Sequence, residues 1–401
     1  MKHSRRTFLK TSALATGSLF IPFFLKGIGS KDPLLMRDGA DNKKLVIIQL
    51  GGGNDGLNTI VPYRNDIYYS SRPTLAVPAA NVLQLNDDLG MNGVMSGLAD
   101  IYNKGELTII NNVGYPNPDR SHFRSMDIWH TASDSNEYLS TGWIGRYLDS
   151  DCQNCNYPHN AIELNESLSL ALKGNNLNGI AFNDEKSLNQ MRRSKQLVAH
   201  THDNNHENSS LNYLYKTLAE TNHSAEYIYK KSKIYTSNKN YPDNKFAKDL
   251  KLIAELIISD IDTSVFYVSL SGFDTHFAQK NKQERLLKVY SDAVNSFCED
   301  LRNNNRFDDV LIMTFSEFGR RVKQNGSAGT DHGTANNLFI MGGKLKRPGI
   351  YNETPDLTKL DEGDLIYKTD FRSVYTTLLE KWLNVNPKSI IGKEFNSLDF
   401  I

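Results

Sequence analysis

The chain has 401 residues, with 46 basic and 46 acidic side chains, so its formal net charge is zero. A zero net charge argues against broad nucleic-acid binding, which needs a basic surface to neutralise phosphates. A hydrophobic content of 39% excludes a multi-span membrane protein, and three cysteines exclude a fold built on disulfides.

The N-terminus carries the features of an export signal. Arg5 and Arg6 are followed by Phe8, Leu9 and an apolar stretch over residues 11–25. This order looks like a twin-arginine signal, and the alternatives are a mitochondrial-type presequence or an accidental arginine pair. We predict a leader over residues 1–38 and a periplasmic or otherwise exported protein, attached to the membrane only if the leader is kept.

Five short apolar, β-branched runs predict buried strands, and stretches of helical periodicity lie between them. The strands are Lys43–Leu50, Leu107–Ile110, Val265–Leu270, Val310–Phe315 and Asn337–Met341. The helices are Ser121–Thr131, Phe246–Ser259, Lys282–Leu301 and Phe371–Trp382. This alternation predicts one α/β domain over residues 39–401, with a mostly parallel sheet between helices.

Residues 150–245 differ in composition, being rich in Asn, Ser, His and Tyr. We predict an Asn-rich inserted cap here, and the alternative is a solvated surface excursion. Cys152 and Cys155 are interpreted as a local disulfide or as incidental. His200, His202 and His206 are interpreted as part of a solvated loop rather than a metal cluster.

Carboxylates and imidazoles gather in loops that follow or precede the predicted strands. In open α/β sheets, ligands bind beyond the carboxyl ends of the strands. Each residue alone has an ordinary explanation as a turn residue, a helix cap or a salt-bridged strand end. Together they predict a metal site whose ligands are Asp55, Asp274, His276, Glu317 and His332.

Ser121 stands at the start of a predicted helix, beside two arginines. It is either a plain N-cap serine or a nucleophile whose hydroxyl faces an oxyanion at the helix N-terminus. Arg120, Arg124 and Arg320 are the candidates for binding the anionic oxygens of a substrate.

Five motifs occur together and in order: Leu50–Thr59, Ser121–Asp127, Gly272–His276, Thr314–Arg321 and Gly329–Gly333. With the leader, they make the chain resemble the bacterial exported family called domain of unknown function fifteen-oh-one. That family is itself similar to the alkaline phosphatase and sulfatase superfamily. The resemblance implies an alkaline-phosphatase-like core in which Asp55, Asp274, His276 and His332 bind metal and Ser121 is the nucleophile.

The chain departs from that superfamily at one ligand position. An Asp-His pair is expected after a later strand, and Glu317 is followed by Phe318 instead. Because a phenylalanine cannot bind a metal, the resemblance leaves two readings open, a two-metal site or a site with one ion or an altered substrate.

The function predicted is an exported metal-dependent hydrolase of a phosphate or sulfate ester, with serine or metal-bound water as nucleophile. The substrate would be a small-molecule or polysaccharide ester. Mixed oxygen and nitrogen ligands suit Zn²⁺ or Mn²⁺ better than Ca²⁺ or Mg²⁺. The alternative is a non-catalytic periplasmic binding or assembly protein that retains the hydrolase fold and binds a carbohydrate or a protein partner.

Overall fold

The computed structural model describes residues 43–151, 157–193 and 209–401. The strands in this part of the chain are β1 Lys44–Gly51, β2 Ile60–Val61, β3 Val82–Gln84, β4 Gly90–Asn92, β5 Leu107–Gly114, β6 Ala161–Leu164, β7 Ile180–Phe182, β8 Val265–Ser271, β9 Val310–Phe315, β10 Asn336–Met341, β11 Gly349–Ile350, β12 Leu360–Asp361, β13 Asp364–Leu365 and β14 Thr369–Asp370. The helices are α1 Asp66–Ser71, α2 Ser96–Asn103, α3 His122–Thr131, α4 Trp143–Asp151, α5 Glu185–Arg193, α6 Ser209–Ser232, α7 Lys245–Ile258, α8 Gln279–Asn303, α9 Phe371–Thr377 and α10 Pro387–Ile391.

The described residues form a central nine-stranded sheet in the order β11-β5-β10-β9-β1-β8-β6-β7, with β14 beside β5. Strand β1 pairs in parallel with β8 on one side and β9 on the other. Along β1, Val46 and Ile48 enter one hydrophobic core while Leu45 and Ile47 enter another, because successive side chains point to opposite faces. The predicted α/β class, with a mostly parallel sheet between helices, is confirmed.

Strand β10 runs antiparallel to both of its neighbours, β5 and β9. It therefore begins where β1, β8 and β9 end. This side of the sheet, formed by the carboxyl ends of those strands, is the edge referred to below. The loop that enters β10 and the loops that leave the other strands consequently meet at one edge, which is where the fold can assemble a site.

The predicted strands and helices are present with shifts of a few residues at their ends. The largest difference is in the last predicted helix. There α9 is followed by a π-helical turn over Leu378–Trp382, so the apolar spacing continues while the hydrogen-bond pattern changes.

In the segment 150–245, for which a cap is predicted, the described residues include two strands of the central sheet. Strand β6 pairs in parallel with β8, and β7 pairs with β6, so this segment adds two strands to the sheet beside β8. Strands of four and three residues are too short to stand out in a polar stretch, which explains the difference. The leader and the Cys and His residues singled out between 152 and 206 lie outside the described residues.

Within the described ranges, every helix is too short or too polar to cross a membrane.

Helix α3 contains a buried histidine whose protonation links stability to pH. Nε2 of His130 lies 3.1 Å from the hydroxyl of Tyr267, and burial lowers the pKa of His130 to about 4. In the unfolded chain a histidine has a pKa of about 6.5, so the unfolded state takes up the proton first as the pH falls. The stability contributed by neutral His130 is therefore complete above pH ~6.5 and is lost toward pH ~4.

We expect His130 to remove about 3 kcal/mol from the free energy of unfolding between these limits. Urea unfolding of the wild type and of His130→Gln, each at several pH values, isolates this contribution from those of other groups. The difference between the two proteins should shrink as the pH falls. A difference that stays constant with pH would contradict the assignment.

Candidate metal centre

Three imidazoles and one carboxylate meet at the edge where the strand loops converge. Oδ1 of Asp274 lies 3.6 Å from Nε2 of His122, 3.1 Å from Nε2 of His276 and 3.5 Å from Nε2 of His332. Nε2 of His276 and Nε2 of His332 are 2.9 Å apart. The ligand atoms of His122, Asp274 and His332 all lie within 4.8 Å of one another, and His276 lies beside Asp274 and His332.

The fold explains why these four residues meet although they are distant in the sequence. Asp274 and His276 are in the loop that follows β8, and His332 is in the loop that enters β10. His122 is the first residue of α3, in the connection that follows β5. All three connections lie at the same edge because β5 and β8 end there and β10 starts there.

The other ring nitrogen of each imidazole is held by an oxygen atom. These contacts are His122 Nδ1 to Glu317 Oε1 at 2.9 Å, His332 Nδ1 to the Arg120 carbonyl at 2.7 Å, and His276 Nδ1 to Asp331 Oδ1 at 3.4 Å. With the proton on Nδ1 donated to these oxygens, each Nε2 presents its lone pair to the shared point. Metal-binding histidines are usually oriented by such a carboxylate or carbonyl partner.

The side chains present fit a bound cation. Nε2 of His122 is buried and has no hydrogen-bond partner among the described residues. The Nε2 atoms of His276 and His332 face each other at 2.9 Å, and two lone pairs at that distance repel unless a proton or a cation lies between them. Three imidazole nitrogens with one carboxylate oxygen form a donor set suited to Zn²⁺.

The electrostatics keep the carboxylate charged. Burial acts to raise the pKa of Asp274, but the hydrogen bond and charge of Arg320 outweigh it and bring the pKa to about 2. The hydrogen bond to Glu317 raises the pKa of His122, whereas burial lowers that of His332. The Asp274 side chain is 49% exposed and that of His276 is 42% exposed, so a substrate can reach the cluster from solvent.

Of the five predicted ligands, Asp274, His276 and His332 come together, and two others lie elsewhere. Glu317 is 1% exposed and accepts hydrogen bonds from the Gly52 amide and from Nδ1 of His122. It therefore orients the His122 imidazole through Nδ1, on the side of the ring opposite the Nε2 atom that joins the cluster.

Asp55 lies in a buried ion pair. Its Oδ2 is 2.6 Å from the guanidinium of Arg72 and also accepts from the Gln279 amide. The structure does not bring its carboxylate into the group of converging atoms, so we leave Asp55 out of the ligand set.

His122 is the member of the cluster that the sequence analysis does not include among the predicted ligands. It belongs to the motif Ser121–Asp127, in which the sequence analysis selects Ser121 and Arg124 as site residues but not His122. A histidine at the first position of a helix that follows a sheet strand was the available signal, since such a helix start lies at the sheet edge.

The three arginines predicted to bind substrate oxygens are engaged within the protein. The Arg320 guanidinium is fully buried and donates to Asp274 and to the backbone carbonyls of Gly52, Gly53, Phe273 and Thr330. Arg124 donates to the carbonyls of Asp134, Ser135 and Glu137, and Arg120 pairs with Asp364 and Glu362. Arg120 and Arg124 therefore hold loops in place, whereas Arg320 holds the cluster itself through Oδ1 of Asp274, with its remaining donors on backbone carbonyls.

The Ser121 hydroxyl, the predicted nucleophile, is not engaged within the described part of the protein. Ser121 occupies the N-cap position of α3, but its side chain caps no amide, and it is exposed. Its neighbours on either side, Arg120 and His122, both touch the cluster through the contacts described above. Its hydroxyl has no hydrogen-bond partner in the described part of the chain.

Phe318 lies against the cluster as an apolar wall. It is 2% exposed, and its ring centroid is 4.8 Å from that of His122 and 4.7 Å from that of His332. Gly53 allows this packing, because a Cβ at its φ of +71° would lie 2.3 Å from the Phe318 ring. The Phe318 ring offers no ligand atom, so this side of the cluster is closed by apolar carbon.

Glu317→Gln is expected to weaken zinc binding by about 10- to 100-fold, because an amide holds the His122 imidazole less firmly than a carboxylate does. The substitution keeps the side-chain volume and the acceptor for the Gly52 amide. Competition with a chelating dye would measure the affinity. Glu353→Gln, at an exposed carboxylate paired with Lys368, is the matched control, and equal affinities of the two variants would contradict the role of Glu317.

One comparison identifies a family for the chain. A family model described as protein of unknown function (DUF1501) matches residues 42–380. No curated protein matches the sequence.

Several solved structures resemble the chain at low identity. The zinc complex of the C-terminal periplasmic domain of EcEptC from Escherichia coli is 11% identical, with 77% of this chain and 74% of that chain covered and a TM-score of 0.37. A protein in the alkaline phosphatase superfamily from Vibrio parahaemolyticus is 12% identical, with 100% and 81% covered and a TM-score of 0.40. The PsFucS1 sulfatase from Pseudoalteromonas sp. is 10% identical, with 89% and 70% covered and a TM-score of 0.38.

Proposed function

The chain belongs to the DUF1501 family of proteins of unknown function, and for this member we propose an exported, metal-dependent hydrolase of a phosphate or sulfate ester. The observation that carries the proposal is the convergence of three Nε2 atoms on Oδ1 of Asp274, with every Nδ1 held by an oxygen. A solvent-accessible cluster of this kind suits a reactive centre better than a closed structural one.

A divalent cation, Zn²⁺ or Mn²⁺, would be held by His122, Asp274, His276 and His332. When bound, it would supply Lewis-acid polarisation of an ester oxygen. Asp274 contributes the negative charge of the site, and Glu317 and Asp331 orient two of the imidazoles through their Nδ1 atoms.

Ser121 is the proposed nucleophile. Its free hydroxyl stands at the N-terminus of the ten-residue helix α3, where unpaired backbone amides attract anionic oxygens. Because the three predicted arginines already bind groups of the protein, with Arg320 on Asp274 itself, this helix start is the group best placed to hold the charged oxygens of the ester. A water molecule attacking in place of the serine is the second form of the same proposal.

The proposal is tested with chelator-treated protein assayed on 4-nitrophenyl esters of phosphate and sulfate, before and after Zn²⁺ or Mn²⁺ is restored. We expect hydrolysis of at least one ester only with the ion present, and loss of that activity in His332→Ala. Ser121→Ala separates the two nucleophiles, because it should be inactive if serine attacks and active if water does. Metal-loaded protein that hydrolyses no ester would end the proposal.

A second candidate is a binding or assembly protein that retains the hydrolase fold without turnover. Two observations favour it: the engaged arginines, and the exposure of Phe123 (87%) and Phe277 (71%), each of which directly follows a candidate ligand. Exposed aromatic rings beside a site are typical of partner contacts. This candidate requires that Phe123→Ala/Phe277→Ala abolish capture of a defined partner by a protein that hydrolyses no ester.

A further inference from the structure

A polar cavity of about 330 Å³ opens at the same edge of the sheet as the candidate metal centre. It lies beyond the ends of β1, β8, β6 and β7, where residues such as Gln49, Ser269, Ser271 and Asn183 line it. Ten of its eleven lining residues are polar, so it is unsuited to an apolar ligand. Its volume falls at the small end of the range for small-molecule sites, about 300–1,000 Å³.

The charges around the cavity exclude an anionic occupant. Glu163 is 1% exposed, and its carboxylate accepts hydrogen bonds only from the Ser169 backbone amide and the Asn165 side chain among the described residues. Lys245 is paired with Asp249 at 2.7 Å. Among the described residues that line the cavity, no cation is therefore free to bind a phosphate or a sulfate group.

Hydroxyls, amides and a hydrogen-bonded carboxylate are the groups that recognise a neutral, hydroxyl-rich molecule. Asn183 provides a donor and an acceptor, and Gln49 provides an amide donor, since its Oε1 accepts from Tyr267. Ser269 and Ser271 provide hydroxyls, and Glu163 provides acceptors. Asn183 uses its backbone in the fold, while its side-chain amide makes no hydrogen bond to the described residues. That amide is accordingly available to a ligand.

The cavity and the metal centre are neighbours. Ser271 of the cavity precedes Asp274 by three residues, so their Cα atoms are at most about 11 Å apart. Gly51, which pairs with Ser271, adjoins Gly52, whose amide binds Glu317 behind His122. One extended molecule can therefore occupy both places.

We propose that this cavity binds a sugar residue that carries the ester group presented to the metal centre. The inference rests on the proposed function in assigning the substrate as a sugar ester. The anionic ester group suits the place where a cation would be held, and the neutral ring suits a cavity lined by amides, hydroxyls and a hydrogen-bonded carboxylate without a free cation.

The test measures sugar binding without catalysis. Saturation-transfer NMR would be recorded with a panel of neutral mono- and disaccharides at millimolar concentration, on wild type with and without chelator. We expect at least one saccharide to bind, with or without the metal, and Asn183→Leu to reduce its binding at least tenfold. Gln190→Leu, at an exposed position on α5 outside the cavity, is the matched control and should bind as wild type.

Ser269→Val serves as a second cavity variant if Asn183→Leu does not fold, and it should weaken binding in the same direction. Absence of binding by every saccharide, or unchanged binding by folded cavity variants, would overturn the inference. Hydrolysis of a 4-nitrophenyl ester together with no sugar binding would overturn this inference alone and leave the proposed function standing. Sugar binding by a protein that hydrolyses nothing would support the cavity and refute the hydrolase.

Discussion

Asp274→Asn is expected to abolish tight zinc binding, with a loss of affinity greater than about 100-fold. The change removes the negative charge that all three Nε2 atoms face while keeping the size of the side chain. Loss of a supporting residue behind a ligand costs about 10- to 100-fold, so loss of the central carboxylate should cost more. Elemental analysis of dialysed protein and titration calorimetry would give the stoichiometry and the affinity.

Two controls make this result specific. Asp356→Asn changes a carboxylate whose Oδ1 accepts a hydrogen bond from the Thr358 amide two residues along the chain. This substitution should leave zinc binding unchanged. The fold of Asp274→Asn should persist, because the asparagine Oδ1 can still accept from Arg320, whose other donors remain on backbone carbonyls. One tightly bound zinc per chain in folded Asp274→Asn would refute the assigned centre.

The parts of this site that could be predicted from the sequence are those set by local pattern. The apolar runs that became β1, β8 and β9 are continuous because parallel strands are buried on both faces. Loops after such strands lie at one edge, and this placed Asp274 and His276 correctly relative to His332. The pattern does not say which way a loop side chain turns.

Asp55 and His122 show what local pattern leaves undetermined. Asp55 follows a buried strand among glycines, as a ligand would, yet Arg72 folds back seventeen residues later and pairs with it. His122 is fixed by Glu317, which is 195 residues away in the sequence. Both outcomes depend on contacts between segments that share no local signal. The strands β6 and β7 are not predicted for another reason, because runs of four and three residues carry too little pattern.

Arg72→Ala is expected to destabilise the protein by about 3–5 kcal/mol, the cost of leaving a buried charge without its partner. The guanidinium is fully buried and binds Asp55 Oδ2 at 2.6 Å, Asn58 Oδ1 at 2.8 Å and the carbonyls of Arg321 and Val322 at 2.8 Å. After the substitution, Oδ2 of Asp55 keeps only the Gln279 amide, and Oδ1 already has no partner among the described residues. Urea unfolding would measure the change.

The matched control is Arg64→Ala, which breaks an exposed pair with Asp87 at 4.0 Å and should cost less than about 1 kcal/mol. If the cost of Arg72→Ala comes from the stranded carboxylate, then Arg72→Ala/Asp55→Asn should be more stable than Arg72→Ala alone. A double variant that is no more stable would place the cost in the lost backbone contacts instead. The zinc affinity of folded Asp55→Asn should equal that of the wild type if the Asp55 carboxylate serves only to pair with Arg72. A loss of affinity comparable to that of Asp274→Asn would instead identify Asp55 as a metal ligand.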